Sequence, residues 1–283
     1  MGSVETFQAL RPHLLSVAYR MLGSVADAED VVQDAWPRWS TMDEATVRDP
    51  RAWLTVVVTR LCIDRLKSAR SQREVYPGSW LPEPVATERP LDRESISLAF
   101  LVLLENLSPV ERAVYLLHGV FDYSHGEIAA ALEMSDAAVR QTLHRARAHL
   151  EREQPRFAPS VEDHARILGA FVGAIASGDL SGLGRLLTRD AVLWADGGGK
   201  VKGAATRPVL GADAIGKFLV GLVPRFVEPG LAVTIEPVNG WPAVVGRIGA
   251  RVAWIITIET DGSLVHAVRN IVNPDKLRLP SVA

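Results

Sequence analysis

The sequence predicts a multidomain protein: two all-α domains followed by an α+β domain. Up to about Glu153 the apolar residues recur at helical spacing, a proline-rich stretch divides that zone, and beyond Glu162 β-branched runs replace the helical period. These observations place the helical domains at 1–73 and 96–154, a linker at 74–95 and the α+β domain at 160–283. A chain of 283 residues accommodates that number of units, and 48% hydrophobic with 23% charged residues is the composition of a globular chain that buries cores.

In the first zone, amphipathic runs from about Val4 to Arg73 break at Gly23, Pro37 and Asp49-Pro50. Within DAEDVVQDAW, Ala28, Val31, Val32, Ala35 and Trp36 share one helix face, while Asp27, Asp30, Gln33 and Asp34, with Glu29 nearby, make the rest acidic. Taken alone this is a solvated helix face. Pro37 lacks an N–H and should kink or end that helix early. A long helix then opens at Pro50, with Trp53, Leu54, Val57 and Leu61 inward and Arg60, Asp64 and Lys67 outward. Arg60, Arg65, Lys67, Arg70 and Arg73 fall within fourteen residues whose single acid is Asp64. An exposed basic helix beside aromatics suits single-stranded or melted DNA, and a solvated face is the alternative.

The linker EVYPGSWLPEPVATERPLD carries four prolines and one glycine, so it should be extended and irregular. Trp80 in so stiff a segment is a large apolar anchor for a folded neighbour. In the second helical zone, Ser108-Pro109-Val110-Glu111 and Ser124-His125-Gly126-Glu127 are two capping boxes, and Ser135 opens a third helix. The short middle helix, the turn LEMS and DAAVRQTLHRARAHL have the layout of a helix-turn-helix. Val139, Leu143, Ala146 and Leu150 form the buried stripe of the last helix, while Ala137, Arg140, Gln141, His144 and Arg145 face outward. Arginine and glutamine there can read guanine and adenine edges; Arg147 and Arg152 are placed for phosphates.

The α+β domain reads as helices at about 163–176, 180–187 and 213–222, with strands in AVLWA, LAVTIEP, AVVGRIG, RVAWIITIE and SLVHAVRNIV. Asp261-Gly262 is a two-residue hairpin signal between the last two strands, and the sheet should be largely antiparallel. Net charge is −2, from 31 basic and 33 acidic residues, which by itself argues mildly against nucleic acid. That total conceals a mosaic: residues 1–157 hold 18 Lys/Arg against 22 Asp/Glu, yet the basic residues cluster on two helices.

Taken together, these motifs resemble those of bacterial extracytoplasmic-function sigma factors. In that resemblance DAEDVVQDAW corresponds to the helix that binds the clamp of RNA polymerase, implicating Asp27, Glu29, Asp30, Gln33 and Asp34. The helix bearing Arg60, Asp64, Arg65, Lys67 and Arg70 corresponds to the reader of the −10 element, and the helix-turn-helix, with Ser135, Arg140, Gln141, His144, Arg145 and Arg147, to the −35 reader. Three further stretches resemble marker motifs of the ECF41-type group: Trp80-Leu81-Pro82-Glu83-Pro84, Asp196-Gly197-Gly198-Gly199-Lys200 and Asn273-Pro274-Asp275-Lys276-Leu277. The resemblance implies a region 2 helical bundle, a region 4 helix-turn-helix and a SnoaL-like domain with the NTF2-like cone fold that regulates in cis. It implies core RNA polymerase and promoter DNA as partners, and no separate anti-sigma factor.

Other readings stay open at this stage. The three glycines serve either a tight turn or a close chain contact, and the NPDKL stretch either a simple tail or part of that contact. The cone domain regulates, or binds a small molecule as a sensor, or retains cyclase-like catalysis; for the last, Asp196, His266, Asp190 and Glu236 are candidates, but nothing in the sequence pairs an acid with a base. A helix-turn-helix repressor would need neither the acidic helix nor the basic one before it. Seven scattered histidines and the single Cys62 give no metal-ligand spacing and no disulfide framework, so no metal or cofactor is expected. No stretch reaches about 18 continuous apolar residues and the N-terminus lacks a signal-peptide pattern, so an unanchored protein is expected; the single cysteine fits a reducing cytoplasm, and the resemblance implies a protein that is not an enzyme.

Overall fold

The structure, a computed structural model, describes residues 3–73, 76–86, 97–151, 159–226 and 229–279, without the side chains of 69–73 and 225–226. The predicted basic groups of Arg70, Arg73, Arg152 and Arg156 thus lie outside the described parts. The chain forms two compact units, Met1–Glu74 with Leu101–Gln154, and Val75–Phe100 with Pro155–Ala283.

The first unit begins with α1 (Ser3–Leu22), α2 (Val25–Ser40), a 3₁₀ turn (Glu44–Thr46) and α3 (Pro50–Arg73). Gly23, at φ 67°, ends α1, and the Ser24 hydroxyl accepts the Asp27 N–H to cap α2. Contrary to the expectation for Pro37, α2 runs on to Ser40. The last turn is held from outside. Trp39 is 1% exposed and its Nε1 donates to the Ser3 carbonyl at 2.7 Å, while the Ser40 and Thr41 hydroxyls donate to the Pro37 carbonyl, both at 3.1 Å. The inward face of α3 is also rotated from the predicted one: Leu54, Val58, Cys62, Ile63 and Leu66 are buried, whereas Trp53, Val57 and Leu61 are only partly so. Thr55 and Thr59, polar by type but buried here, widened the true stripe beyond what apolar periodicity revealed.

After α4 (Leu98–Leu104) come α5 (Pro109–Gly119), α6 (His125–Leu132) and α7 (Asp136–Glu151). Both capping boxes form, each serine accepting the N–H of its glutamate three residues on and each glutamate accepting the serine N–H in return. Glu133 turns the chain between α6 and α7 at φ 55°. Val114, Leu117, Ile128, Ala129, Val139 and Leu143 make the core of these helices, and the predicted stripe of α7 is buried throughout.

The second unit contains α8 (Val161–Ser177), α9 (Leu180–Leu186), β1 (Leu187–Asp196), β2 (Val209–Leu210), α10 (Ala212–Phe226), β3 (Leu231–Val238), β4 (Trp241–Ile248), β5 (Arg251–Thr260) and β6 (Val265–Ile271). Its sheet has the order β2-β1-β6-β5-β4-β3; β1 and β6 run parallel and every other neighbour antiparallel. Ile167, Leu168 and Phe171 of α8 and Ile215 and Leu219 of α10 pack with Leu193, Val244, Ile258 and Val268 of the sheet. Each such side chain contributes about 1.5–3 kcal/mol on burial. Asn239 and Gly240, at φ 50° and 78°, form the two-residue turn between β3 and β4. Asp261-Gly262 does not do the same between β5 and β6. The loop there spans four residues, because the Asp261 carboxylate takes the Ser263 and Leu264 N–H groups at 2.8 and 2.7 Å and so folds the loop around itself. Among the described residues, no helix is long and apolar enough to cross a membrane.

Candidate functional site

Four residues of the acidic face of α2, Glu29, Asp30, Gln33 and Asp34, are exposed, and Asp27 is half-buried. Glu29 and Gln33 line a groove of about 360 Å³ between α1 and α2, floored by Phe7, Val32 and Trp36 and edged by Arg11. The face is not purely acidic in the folded chain, because Arg65 reaches across from α3. Its guanidinium donates to Asp27 at 2.6 and 3.0 Å and to Asp30 at 3.0 Å, so the acids assigned to polymerase and a base assigned to DNA neutralise one another. All three side chains remain partly in water, a setting in which ion pairs contribute about 0–1 kcal/mol and exchange readily.

The other charges of α3 are also engaged. Lys67 meets Asp64 one turn back at 3.2 Å. Arg60 donates through Nε to the Ala131 carbonyl in the last turn of α6 at 2.8 Å, and its Nη2 pairs with Glu133 at 2.9 Å. A reciprocal contact runs the other way. Arg112 of α5, 3% exposed, donates to the Met21 carbonyl in the last turn of α1 at 2.7 Å and pairs with Glu105 at 2.8 Å. Burial pulls the Arg112 guanidinium down to about 9. Between these points, His13 of α1 hydrogen-bonds Thr55 at 3.0 Å and meets the ring of Phe121 edge-on at 5.6 Å. Burial, then the nearby Arg51 and Arg20, lowers His13 from 6.5 to about 4. It therefore stays neutral in the folded chain while its unfolded counterpart protonates near 6.5. As pH falls from 7 toward 4, the unfolded state gains protons first, and this unit loses stability. Urea midpoints at pH 7 and pH 5 should diverge less in His13→Gln than in the parent chain.

In the helix-turn-helix, Arg140, Gln141, His144, Arg145 and Arg147 are exposed on α7, as predicted from its period. Ser135 does local work: its hydroxyl accepts the Ala138 N–H at 3.2 Å, capping α7. Arg145 leans back on Thr142 at 3.2 Å and Glu111 at 3.5 Å, whereas Arg140, Gln141 and His144 lie along the open face.

The three marker stretches meet at one place in the second unit. Asp196, at the end of β1, is fully buried. One carboxylate oxygen accepts the Tyr76 hydroxyl at 2.6 Å and the Gly198 N–H at 3.1 Å; the other accepts the Leu81 N–H at 2.9 Å and the Lys276 ammonium at 2.7 Å. Lys276 also donates to the Leu81 carbonyl at 2.5 Å, so one ion pair holds both backbone groups of a single linker residue. Its charge lies 4.3 Å from the ring centre of Trp80 and 5.3 Å from that of Tyr76. Asn273 donates to the Tyr76 hydroxyl at 2.9 Å, its backbone and that of Val272 bond the Asp196 carbonyl, and Lys200 pairs with Asp275. Burial and the bond to Asp196 push the Tyr76 phenol well above its ordinary range.

The glycines answer both readings left open above. Gly198 and Gly199 turn at φ 58° and 71°, and a Cβ on them would lie 2.5 Å from the Asn273 side chain and 2.6 Å from Pro77. Leu81, Pro82, Glu83 and Pro84 are buried, and Val85 continues onto the β3–β4 turn, exchanging hydrogen bonds with Asn239 at 2.8 and 3.0 Å. Tyr76 and the peptide of Leu81 were not foreseen as partners. Tyr76, four residues before Trp80 in the same stiff stretch, was the available signal.

The groups weighed for catalysis are dispersed. Asp196 is committed to the linker, Asp190 is exposed, Glu236 forms a two-bond pair with Arg247 at 2.7 and 3.0 Å, and His266 braces Asp261 of the β5–β6 loop at 3.0 Å.

Residues 6–72 match the family model for sigma-70 region 2, and residues 97–150 that for sigma-70, region 4. The chain is 41% identical to the ECF RNA polymerase sigma factor SigJ of Mycobacterium tuberculosis, over 96% of this chain and 92% of that protein. It is 31% identical to the probable ECF RNA polymerase sigma factor SigI of the same species, over 96% and 93%. The crystal structure of the M. tuberculosis SigJ superposes with a TM-score of 0.75 at 39% identity, covering 96% of this chain and 97% of that one. Two sigma-70 regions in order, joined to a sheet domain along a near full-length match, place this chain in the extracytoplasmic-function RNA polymerase sigma factors.

Proposed function

We propose that this sigma factor directs core RNA polymerase to −35/−10 promoters and is regulated in cis by its C-terminal domain. In this reading Asp27, Glu29, Asp30, Gln33 and Asp34 face the polymerase clamp. Arg60, Asp64, Arg65, Lys67 and Arg70 meet the −10 element, and Arg140, Gln141, His144, Arg145 and Arg147 meet the −35 duplex, with Ser135 setting the start of the reading helix. The chain makes no covalent bond itself; it positions polymerase through salt-dependent phosphate contacts and groove readout. It acts in the cytoplasm and needs no separate anti-sigma protein.

The observation that carries the regulatory part is the capture of Leu81 by Asp196 and Lys276. The linker between regions 2 and 4 is thereby bound to the C-terminal domain, and its freedom to span two promoter elements depends on that bond. In vitro transcription with core polymerase tests this, using the full chain and chains ended after Val272 and after Glu153. The truncated forms should differ from the full chain in promoter output; equal output from all three would sink the regulatory reading. Separately, Arg140→Ala should weaken −35-dependent initiation by about 1–3 kcal/mol of lost base discrimination while leaving core binding unchanged.

A further inference from the structure

We propose that regions 2 and 4 are latched together in the free chain by two arginines that cap each other's helices, and that Arg60 is thereby withheld from DNA until the latch opens. This rests on the assignment of α3 to the −10 element. Arg112 of α5 satisfies the Met21 carbonyl in the last turn of α1, and Arg60 of α3 satisfies the Ala131 carbonyl in the last turn of α6. Each domain thus supplies a cation to the negative end of a helix in the other.

The two halves of the latch differ in character. Arg60 is nearly half exposed, and its Nε and Nη2 are taken by Ala131 and Glu133, so that fork is not presented to a phosphate in this arrangement. Arg112 is almost wholly buried, and its Nε has no partner among the described residues. A buried guanidinium left partly unsatisfied forfeits hydration that parting the domains restores. The seam is packed as well, by the rings of His13 and Phe121, but the buried guanidinium sets a standing desolvation cost against that packing, which favours opening. Glu133 at φ 55° belongs to the turn of the helix-turn-helix itself, so the same event that frees Arg60 frees that turn.

The test uses the full chain with dyes on Ser40→Cys and His149→Cys, exposed positions on α2 and α7; native Cys62 is fully buried and stays unlabelled. Energy transfer reports the spacing of the two domains, and a gel shift with a single-stranded −10 oligonucleotide, without polymerase, reports the freed surface. Arg112→Met, which keeps bulk and removes charge, should lengthen the dye distance and tighten oligonucleotide binding about tenfold. Arg60→Gln, outside the core, should lengthen the distance without tightening binding, since the withheld group is gone. Unchanged distances in both variants overturn the latch, and a longer distance in Arg112→Met with unchanged binding overturns the withholding of Arg60. Failure of the promoter assignment shows instead as absent core-dependent transcription, which leaves the distance measurement standing.

Discussion

Lys276→Met should cost the C-terminal unit about 3–5 kcal/mol, the range for breaking a buried ion pair from one side. The lysine and its partner Asp196 have side-chain exposures of 11% and 0%. Removing only the cation leaves a carboxylate buried, with the Tyr76 hydroxyl and two peptide N–H groups to offset it. It also orphans the Leu81 carbonyl and empties the space over Trp80. Asp196→Asn should cost a comparable amount by removing the counter-ion of a nearly buried ammonium. The double variant removes both charges, so its cost should fall below the sum of the singles by more than 1 kcal/mol. Calorimetry of the full chain reads the melting transition of this unit, and hydrogen exchange reads the Leu81 amide, which should lose protection in each single variant. A single-variant cost under about 1 kcal/mol, or strict additivity, would show that the pair does not hold the linker.

In the helical unit, Trp39→Ala should cost about 3–5 kcal/mol, the usual range for truncating a buried aromatic. The indole is 1% exposed, packs against Trp53 with ring centres 5.6 Å apart, and ties the end of α2 to the start of α1 through the Ser3 carbonyl. It also sustains the helical turn after Pro37, so its loss should fray α2 back toward that proline. Because the proposed polymerase face lies on α2, core binding should fall along with stability. Trp39→Phe separates these effects by restoring most of the volume without the Nε1 donor. Retention of stability in Trp39→Ala would mean that the turn beyond Pro37 supports itself.

These two cases show why some features were legible in the sequence and others were not. Local chemistry was: both capping boxes, the stripe of α7 and the β-branched strands depend on neighbours a few residues apart, and all appear where period and cap predict. Pro37 was misread because its helix is held through Trp39 by the carbonyl of Ser3, thirty-six residues before that tryptophan, which no local rule contains. The face of α3 was misjudged because Thr55 and Thr59 pack inward. The marker stretches were recognisable by type, but the geometry joining them was not, since a backbone N–H and C=O at Leu81 carry no side-chain signature. Likewise, Arg65 and Arg60 read as open cations until the structure paired them with Asp27, Asp30 and the end of α6.

The bond from Lys276 to Leu81 joins points 195 residues apart. On a ribosome, the residues that form regions 2 and 4 emerge and can fold long before Lys276 has been made. The linker therefore passes through a period in every molecule's life when its restraint does not yet exist, and the length of that period is set by translation speed. A chain whose last residues are still unmade has a linker without the bond to Lys276, whereas the finished chain holds it. Cleavage anywhere between β6 and Lys276 would cut the covalent tether of that bond and leave α3 and α7 intact.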